Sequence, residues 1–331
     1  MSKKLYSTAK WKQRIRQAQA REVVKRARRK PRHSTPLKPL PFSSKTKYLH
    51  PPSIFSLILN PSETARFLKD LAACIPRSKV YVESKDVKVI TPDAALALIA
   101  TIKKFPKRAV QGSVPVAEIP KTLLKQSGFF DHVRHKVDLK GTKSGVLTRY
   151  NSKQVDGELA QRLILRGTEL AFGAPTPSEA AYCVLLEGMQ NTVDHAHYTP
   201  ELDDEESARE RWWALVYADE ERNRVCFAML DTGVGILKSA RLKKLRKLGL
   251  VLNTASDTGI IRDMFAGVIQ SRTGLDNRGK GLPAIQQLSD AGSIKDLTLV
   301  SNTVCARVGA NDYASMDASF GGTLLYWEIE K

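Results

Sequence analysis

LLEGMQNTVDHAHY, residues 185–198, carries its apolar side chains at the spacing of an α-helix. At about 100° per residue, Tyr182, Leu185, Leu186, Met189, Val193 and Ala196 gather on one side of a helix spanning roughly 177–197. Glu187, Asn191, Asp194, His195 and Tyr198 fall within about 100° of one another on the opposite side. One face is therefore core. The other is a polar stripe with two carboxylates and an amide, a pattern that taken alone also describes the solvated side of any amphipathic helix.

Three further segments follow it in order. VCFAMLDTGVGI (225–236) holds six consecutive apolar residues, which predicts a strand buried on both faces. It stops at Asp231, and Gly233 and Gly235 allow close backbone approach there. SRTGLDNRGKGLPAIQQLSDAG (271–292) opens a helix at Gly279-Lys280-Gly281, with Pro283 in its first turn. Amides at such a helix start attract phosphate. SFGGTLLYWEI (319–329) enters a last strand through Gly-Gly-Thr. Read singly, these segments are a β-turn, a loop before a helix and a turn into an edge strand.

Together and in this order they resemble the four boxes of the GHKL superfamily, the ATP-binding fold of gyrase, chaperone, histidine-kinase and mismatch-repair proteins. The likeness covers about 175 residues, from Asp156 to Glu330, and implies an α/β sandwich of mixed sheet plus helices. It implies that Asn191 holds Mg²⁺, since an amide oxygen is a hard, neutral ligand that leaves room for waters and phosphates. Glu187, one turn earlier, would orient or deprotonate the attacking water. Asp231 would accept the adenine amino group, and Thr323 would brace it through water. Guanine presents an acceptor at that edge, so the carboxylate would select ATP over GTP. Gly233, Gly235, Gly279 and Gly281 would shape the pocket, with Lys280 adding a point charge. Arg272 and Thr273, in the stretch expected to form the ATP lid, would contact phosphate. Asp194, Ile236 and Leu282 complete the ATP-contacting set that the resemblance implies.

The first half reads differently. Residues 54–135 alternate helix and strand: helix near 62–74, strand 79–83, strand 87–90, helix 92–104, strand 110–114, helix 119–127. This predicts a small βαβ unit. VKVITPDAALALIATIKKF (87–105) with EIPKTLLKQSGFFDHV (118–133) resembles the STAS fold of anti-sigma-factor antagonists, which implies a protein partner for this segment. Thr91 stands near that family's phosphorylated hydroxyl, with Pro92-Asp93 in place of its small-residue turn. Before it, residues 1–48 carry sixteen Lys and Arg against one acid, Glu22, so this arm supplies +15 of the net +19. A basic helix is expected over 8–30, then an extended linker with six prolines between 31 and 52. Residues 136–156 form a second expected linker.

No apolar run reaches the ~18–20 residues of a membrane span, and charges recur through the first 30 residues where a signal peptide would be apolar. The four scattered cysteines follow neither a metal-ligand nor a disulfide spacing. His195 and His197, two apart on a helix, point about 200° from each other and cannot share an ion. Trp212-Trp213 is expected on a strand that faces core on one side and surface on the other. The expectation is a cytoplasmic Mg²⁺-dependent ATPase or ATP-driven switch, with the basic arm available to nucleic acid or to an acidic protein. A serine/threonine kinase of the anti-sigma-factor type and a non-hydrolysing ATP sensor are the alternatives.

Overall fold

The six-residue apolar run at 225–230 builds the centre of the molecule. In a computed structural model of the chain it belongs to strand β8 (Arg224–Asp231). The structure describes residues 43–106, 108–139, 144–150, 155–195, 212–245, 256–268 and 281–331. Phe42–Lys331 forms one compact unit, while Met1–Pro41, with the expected basic helix, lies outside the described residues.

Around β8 a five-stranded sheet assembles in the order β6–β7–β8–β10–β9. Its other members are β6 (Gly145–Tyr150), β7 (Trp212–Asp219), β9 (Lys295–Arg307) and β10 (Asp312–Glu330). Every pairing in it is antiparallel, where a mixed sheet was expected. Short connections account for two of these pairings: only four residues separate β7 from β8, and β9 from β10. Parallel neighbours would need a crossover of a dozen residues or more.

Alternation along β8 sends Val225, Phe227 and Met229 to one hydrophobic cluster and Cys226, Ala228 and Leu230 to another. The first cluster is completed by α4 (Gly157–Phe172), α5 (Glu179–His195), α7 (Asp257–Phe265) and α8 (Gly281–Asp290). The second is filled from the N-terminal half by α1 (Pro61–Cys74) and by α2 (Pro92–Lys103), which is buried throughout Pro92–Ala100. The result is a three-layer α/β/α sandwich whose sheet faces apolar residues on both sides. Trp212 and Trp213 are accordingly both 1 % exposed, one in each cluster. The surface side expected for this pair does not exist, because the N-terminal half covers it.

That half contains parallel pairings: β1 (Ser43–Leu49) with β3 (Ser78–Val82), β3 with β5 (Val110–Gly112), and β2 (Ile54–Phe55) with β4 (Val89–Ile90). A short helix, α3 (Glu118–Gln126), follows β5. Strands β1 and β6 both fall where linkers were expected. Each is an edge strand, held chiefly by backbone hydrogen bonds to a single neighbour. Chain as polar as SSKTKYL can take that place. At the start of α2, Asp93 is fully buried and accepts the Leu57 amide at 2.7 Å, tying the loop before α1 to α2. Burial pushes its carboxyl up to about 6.

Candidate functional site

Where β8 ends, the sheet turns from core into site. Asp231 lies opposite Thr323 of β10 on one side and Trp212 of β7 on the other. Its carboxylate Oδ1 accepts the Gly233 amide at 2.8 Å. Part of Asp231 reaches the surface of a cavity, yet burial pushes its carboxyl up to about 6. The Gly233 amide, the Thr323 hydroxyl and the positive charge of Lys104 at the end of α2 pull the other way. Those pulls oppose the effect of burial without cancelling it.

The turn after Asp231 leads into α6 (Ile236–Leu245), and three β-strand side chains fasten it. The Ile236 amide donates to Ser301 Oγ at 3.0 Å and Thr323 Oγ1 at 3.2 Å. Asn302 Nδ2 donates to the Val234 carbonyl at 3.0 Å, and its Oδ1 accepts the Lys238 amide at 3.2 Å. Ser301 Oγ itself donates to the Gly322 carbonyl at 2.9 Å. Gly235 has φ +86°, and a Cβ there would sit 2.5 Å from Asn302 Oδ1, so only glycine fits.

The cavity beside this turn is lined by Gly188, Asn191 and Thr192 of α5, Met229 and Asp231 of β8, and Gly235, Ile236 and Ser239 of the turn and α6. Leu282, Leu299, Thr323 and Leu325 close it. It thus gathers Asn191, Asp231, Gly235, Ile236, Leu282 and Thr323 from separate sequence segments. Gly233 does not line it and is linked to it only by donating its amide to Asp231. Its walls are apolar apart from a few convergent polar groups, the usual character of a small-molecule site.

Glu187 does not line the cavity. It lies one turn before Asn191 on α5, against the first residue of α8. A Cβ on Gly281 would stand 2.3 Å from Glu187 Oε2, so glycine permits this approach of helix start to carboxylate. Burial raises the Glu187 carboxyl above its ordinary value. Asp194 lies in the last turn of α5, and its side chain is outside the described set. Arg272, Thr273, Gly279 and Lys280 also lie outside the described residues, as does part of the stretch between Ile236 and Asn277 in which the lid was expected. The described part of that stretch contains α6 and α7, which were not anticipated.

Ser301 and Asn302 escaped the sequence reading altogether. Their signal is the break in the apolar run LTLVSNTVCA (297–306), where Ser-Asn-Thr interrupts an otherwise buried strand. Opposite them β10 carries two additional residues between Phe320 and Thr323, a bulge in the ladder. Asn302 adopts φ 52°, a left-handed conformation that Asn tolerates better than most residues.

Among the described residues no group of three or more His, Cys, Asp or Glu could cage a metal. Asn191 can offer one oxygen, so a cation here would need further ligands from a bound anion and water. That suits Mg²⁺, which keeps several waters and is commonly shared with phosphate oxygens. No helix among the described residues is long and apolar enough to cross a membrane. No family model matches the chain, and no curated protein matches it significantly.

Proposed function

We propose that this cavity binds ATP together with Mg²⁺, and that the protein is an ATP-driven switch of the GHKL kind that hydrolyses its nucleotide. One observation carries the reading. A carboxylate at the end of a central strand, Asp231, opens into the same cavity as Asn191, and Glu187 stands one helical turn from that amide. Met229, Leu299 and Leu325 offer apolar walls to a flat base. Asp231, braced by the Gly233 amide, accepts the exocyclic amino group of adenine and repels the guanine carbonyl. Asn191 contributes an oxygen to the cation, and Mg²⁺, when bound, offsets phosphate charge.

Glu187 acts as proton acceptor for the attacking water, and its raised carboxyl pKa brings it closer to the range useful for a base at neutral pH. Because Gly281 rests against that carboxylate, the start of α8 is coupled to the state of the base. Lys280, Gly279, Arg272 and Thr273 are proposed to meet the phosphates from the segment leading into α8. A hydroxyl of a protein substrate could take the place of water, and phosphate release against protein labelling separates ATPase from kinase.

Calorimetry with ATP and GTP, each with and without Mg²⁺, tests the reading. The expected result is Mg²⁺-assisted binding of ATP and at least tenfold weaker binding of GTP. Equal binding of the two nucleotides would sink the role given to Asp231, and no ATP binding would sink the whole assignment.

A further inference from the structure

Among the described residues that line the cavity, three carry a side-chain hydroxyl: Thr192 of α5, Ser239 of α6 and Thr323 of β10. Two of these hydroxyls are occupied. Thr192 Oγ1 donates to the Gly188 carbonyl at 3.0 Å, back along its own helix. Thr323 Oγ1 accepts the Ile236 amide at 3.2 Å, and its hydroxyl supports the ionised form of Asp231. Ser239 is only 4 % exposed, and among the described residues its hydroxyl has no hydrogen-bond partner.

A hydroxyl on a helix can satisfy itself by bonding the carbonyl four residues earlier. Thr101, Thr168 and Thr192 do so here, to Ala97, Ile164 and Gly188. Ser239 has the Gly235 carbonyl at that position; its amide uses it at 3.0 Å, but its hydroxyl does not. That leaves the hydroxyl to the cavity, one helical turn beyond Gly235 and on the same side of α6 as Ile236. Buried hydroxyls are seldom left without a partner, because the hydrogen bonds given up on leaving water have to be replaced. The cavity is where a partner for this one can stand.

We propose that Ser239 is a base-binding residue that donates its hydroxyl hydrogen to a ring nitrogen beside the adenine amino group. The inference rests on the ATP reading of this cavity and adds a contact to it. The 6-amino group of adenine is flanked by N1 and N7, and both are acceptors. Once the amino hydrogen is directed at Asp231, a protein group that meets the base beside it has to be a donor. Ionised Asp231 can only accept, and in that reading Asn191 is turned to the cation. Of the hydroxyls in the lining, Ser239 alone is uncommitted. The turn that follows Asp231 leads directly into α6, so Ser239 stands on the base side of the cavity rather than on α5, where cation and phosphates are expected.

The test is titration calorimetry on the full chain with Mg²⁺ and ATP, 1-deaza-ATP, 7-deaza-ATP or 2′-deoxy-ATP. Ser239→Ala should weaken ATP binding roughly three- to tenfold, the scale of one neutral hydrogen bond. One of the two deaza analogues should lose about as much on the wild-type protein and nothing further on Ser239→Ala, which also identifies the nitrogen. Binding of 2′-deoxy-ATP should stay as sensitive to the substitution as binding of ATP. The variant should keep the wild-type urea midpoint or exceed it, since alanine is the better helix former and no described residue loses a bond. A lowered midpoint would assign the hydroxyl a structural partner and overturn the inference. So would ATP affinity within twofold of wild type in Ser239→Ala, or both deaza analogues as sensitive to the substitution as ATP. Sensitivity lost with 2′-deoxy-ATP would move the contact to the sugar and overturn it equally. ATP binding that Asp231→Asn weakens and Ser239→Ala does not sinks this contact alone, whereas a wild-type protein that binds no ATP sinks the ATP reading with it.

Discussion

Asp231 combines two demands that pull against each other. Its proposed role asks it to stay ionised and accept an amino group; enclosed by protein, it is pushed toward protonation, up to about 6. The ionised form is the stronger acceptor for the adenine amino hydrogen, so ATP affinity should fall as the pH drops through about 6. Titration calorimetry at pH 5, 6 and 7.5 reads this directly. Asp231→Asn should bind ATP at least tenfold more weakly at pH 7.5 and lack the step near 6. A step that persists in that variant would move the titrating group elsewhere, for instance onto the nucleotide. Glu187 separates from it cleanly: Glu187→Ala should keep ATP affinity within a few-fold while lowering hydrolysis by roughly 10²-fold, the scale of a lost general base. Normal turnover in that variant would refute the base assignment while leaving the binding site intact.

The turn between β8 and α6 depends on a strand that lies more than sixty residues further along the chain. Asn302 bonds both the Val234 carbonyl and the Lys238 amide. Asn302→Ala leaves those backbone groups to find water, and should lower stability by about 1–2 kcal/mol, read from urea unfolding. It should also weaken ATP binding, because Gly235 and Ile236 line the cavity from that turn. Unchanged stability and affinity would show that Ser301 and Thr323 suffice to hold α6. This clamp also marks where sequence reading stops. Helices such as 156–171 and 177–197 were legible because apolar residues recur at 3.6-residue spacing, and β8 because six apolar residues follow one another. Asp231, Asn191 and Thr323 stood out because each occupies a recognisable local pattern. Asn302 does not, since its role is to bond a turn distant in sequence. β1 and β6 were unreadable for a related reason. An edge strand such as SSKTKYL needs no apolar alternation when its partner supplies the hydrogen bonds. Residues 246–255 and 269–280 lie outside the described set, and with them part of the stretch between Ile236 and Asn277 where a lid was expected.

At the scale of the whole molecule, charge and core are segregated. Residues 1–48 hold +15 of the net +19, and the remaining 283 residues hold 37 basic and 33 acidic side chains. Polyanion attraction should therefore depend chiefly on the arm, through counterion release with a log–log slope of about −0.9 per neutralised phosphate on duplex DNA. Removing residues 1–41 leaves the compact unit Phe42–Lys331. That deletion should abolish most duplex binding at moderate salt and leave ATP binding in place. Duplex affinity that survives it would relocate the attraction to the folded unit.

The position of β10 has a consequence for how the chain is made. It sits between β8 and β9 in the sheet, and its residues also meet the N-terminal layer, as where the Asp317 amide donates to Ser62 Oγ at 3.2 Å. During synthesis β1 through β9 leave the ribosome before β10 does. Until Asp312–Glu330 follows, β8 and β9 lack the strand that joins them, and α1 lacks one of its seats. At ~5–20 residues per second, the stretch from the end of β8 at Asp231 to the end of β10 at Glu330 takes about 5–20 s to make, and the stretch from the end of β9 at Arg307 about 1–5 s. Met229 and Leu230 therefore wait for their β10 partners through the longer interval and Leu299 and Val300 through the shorter one, so a chaperone has more time at β8 than at β9.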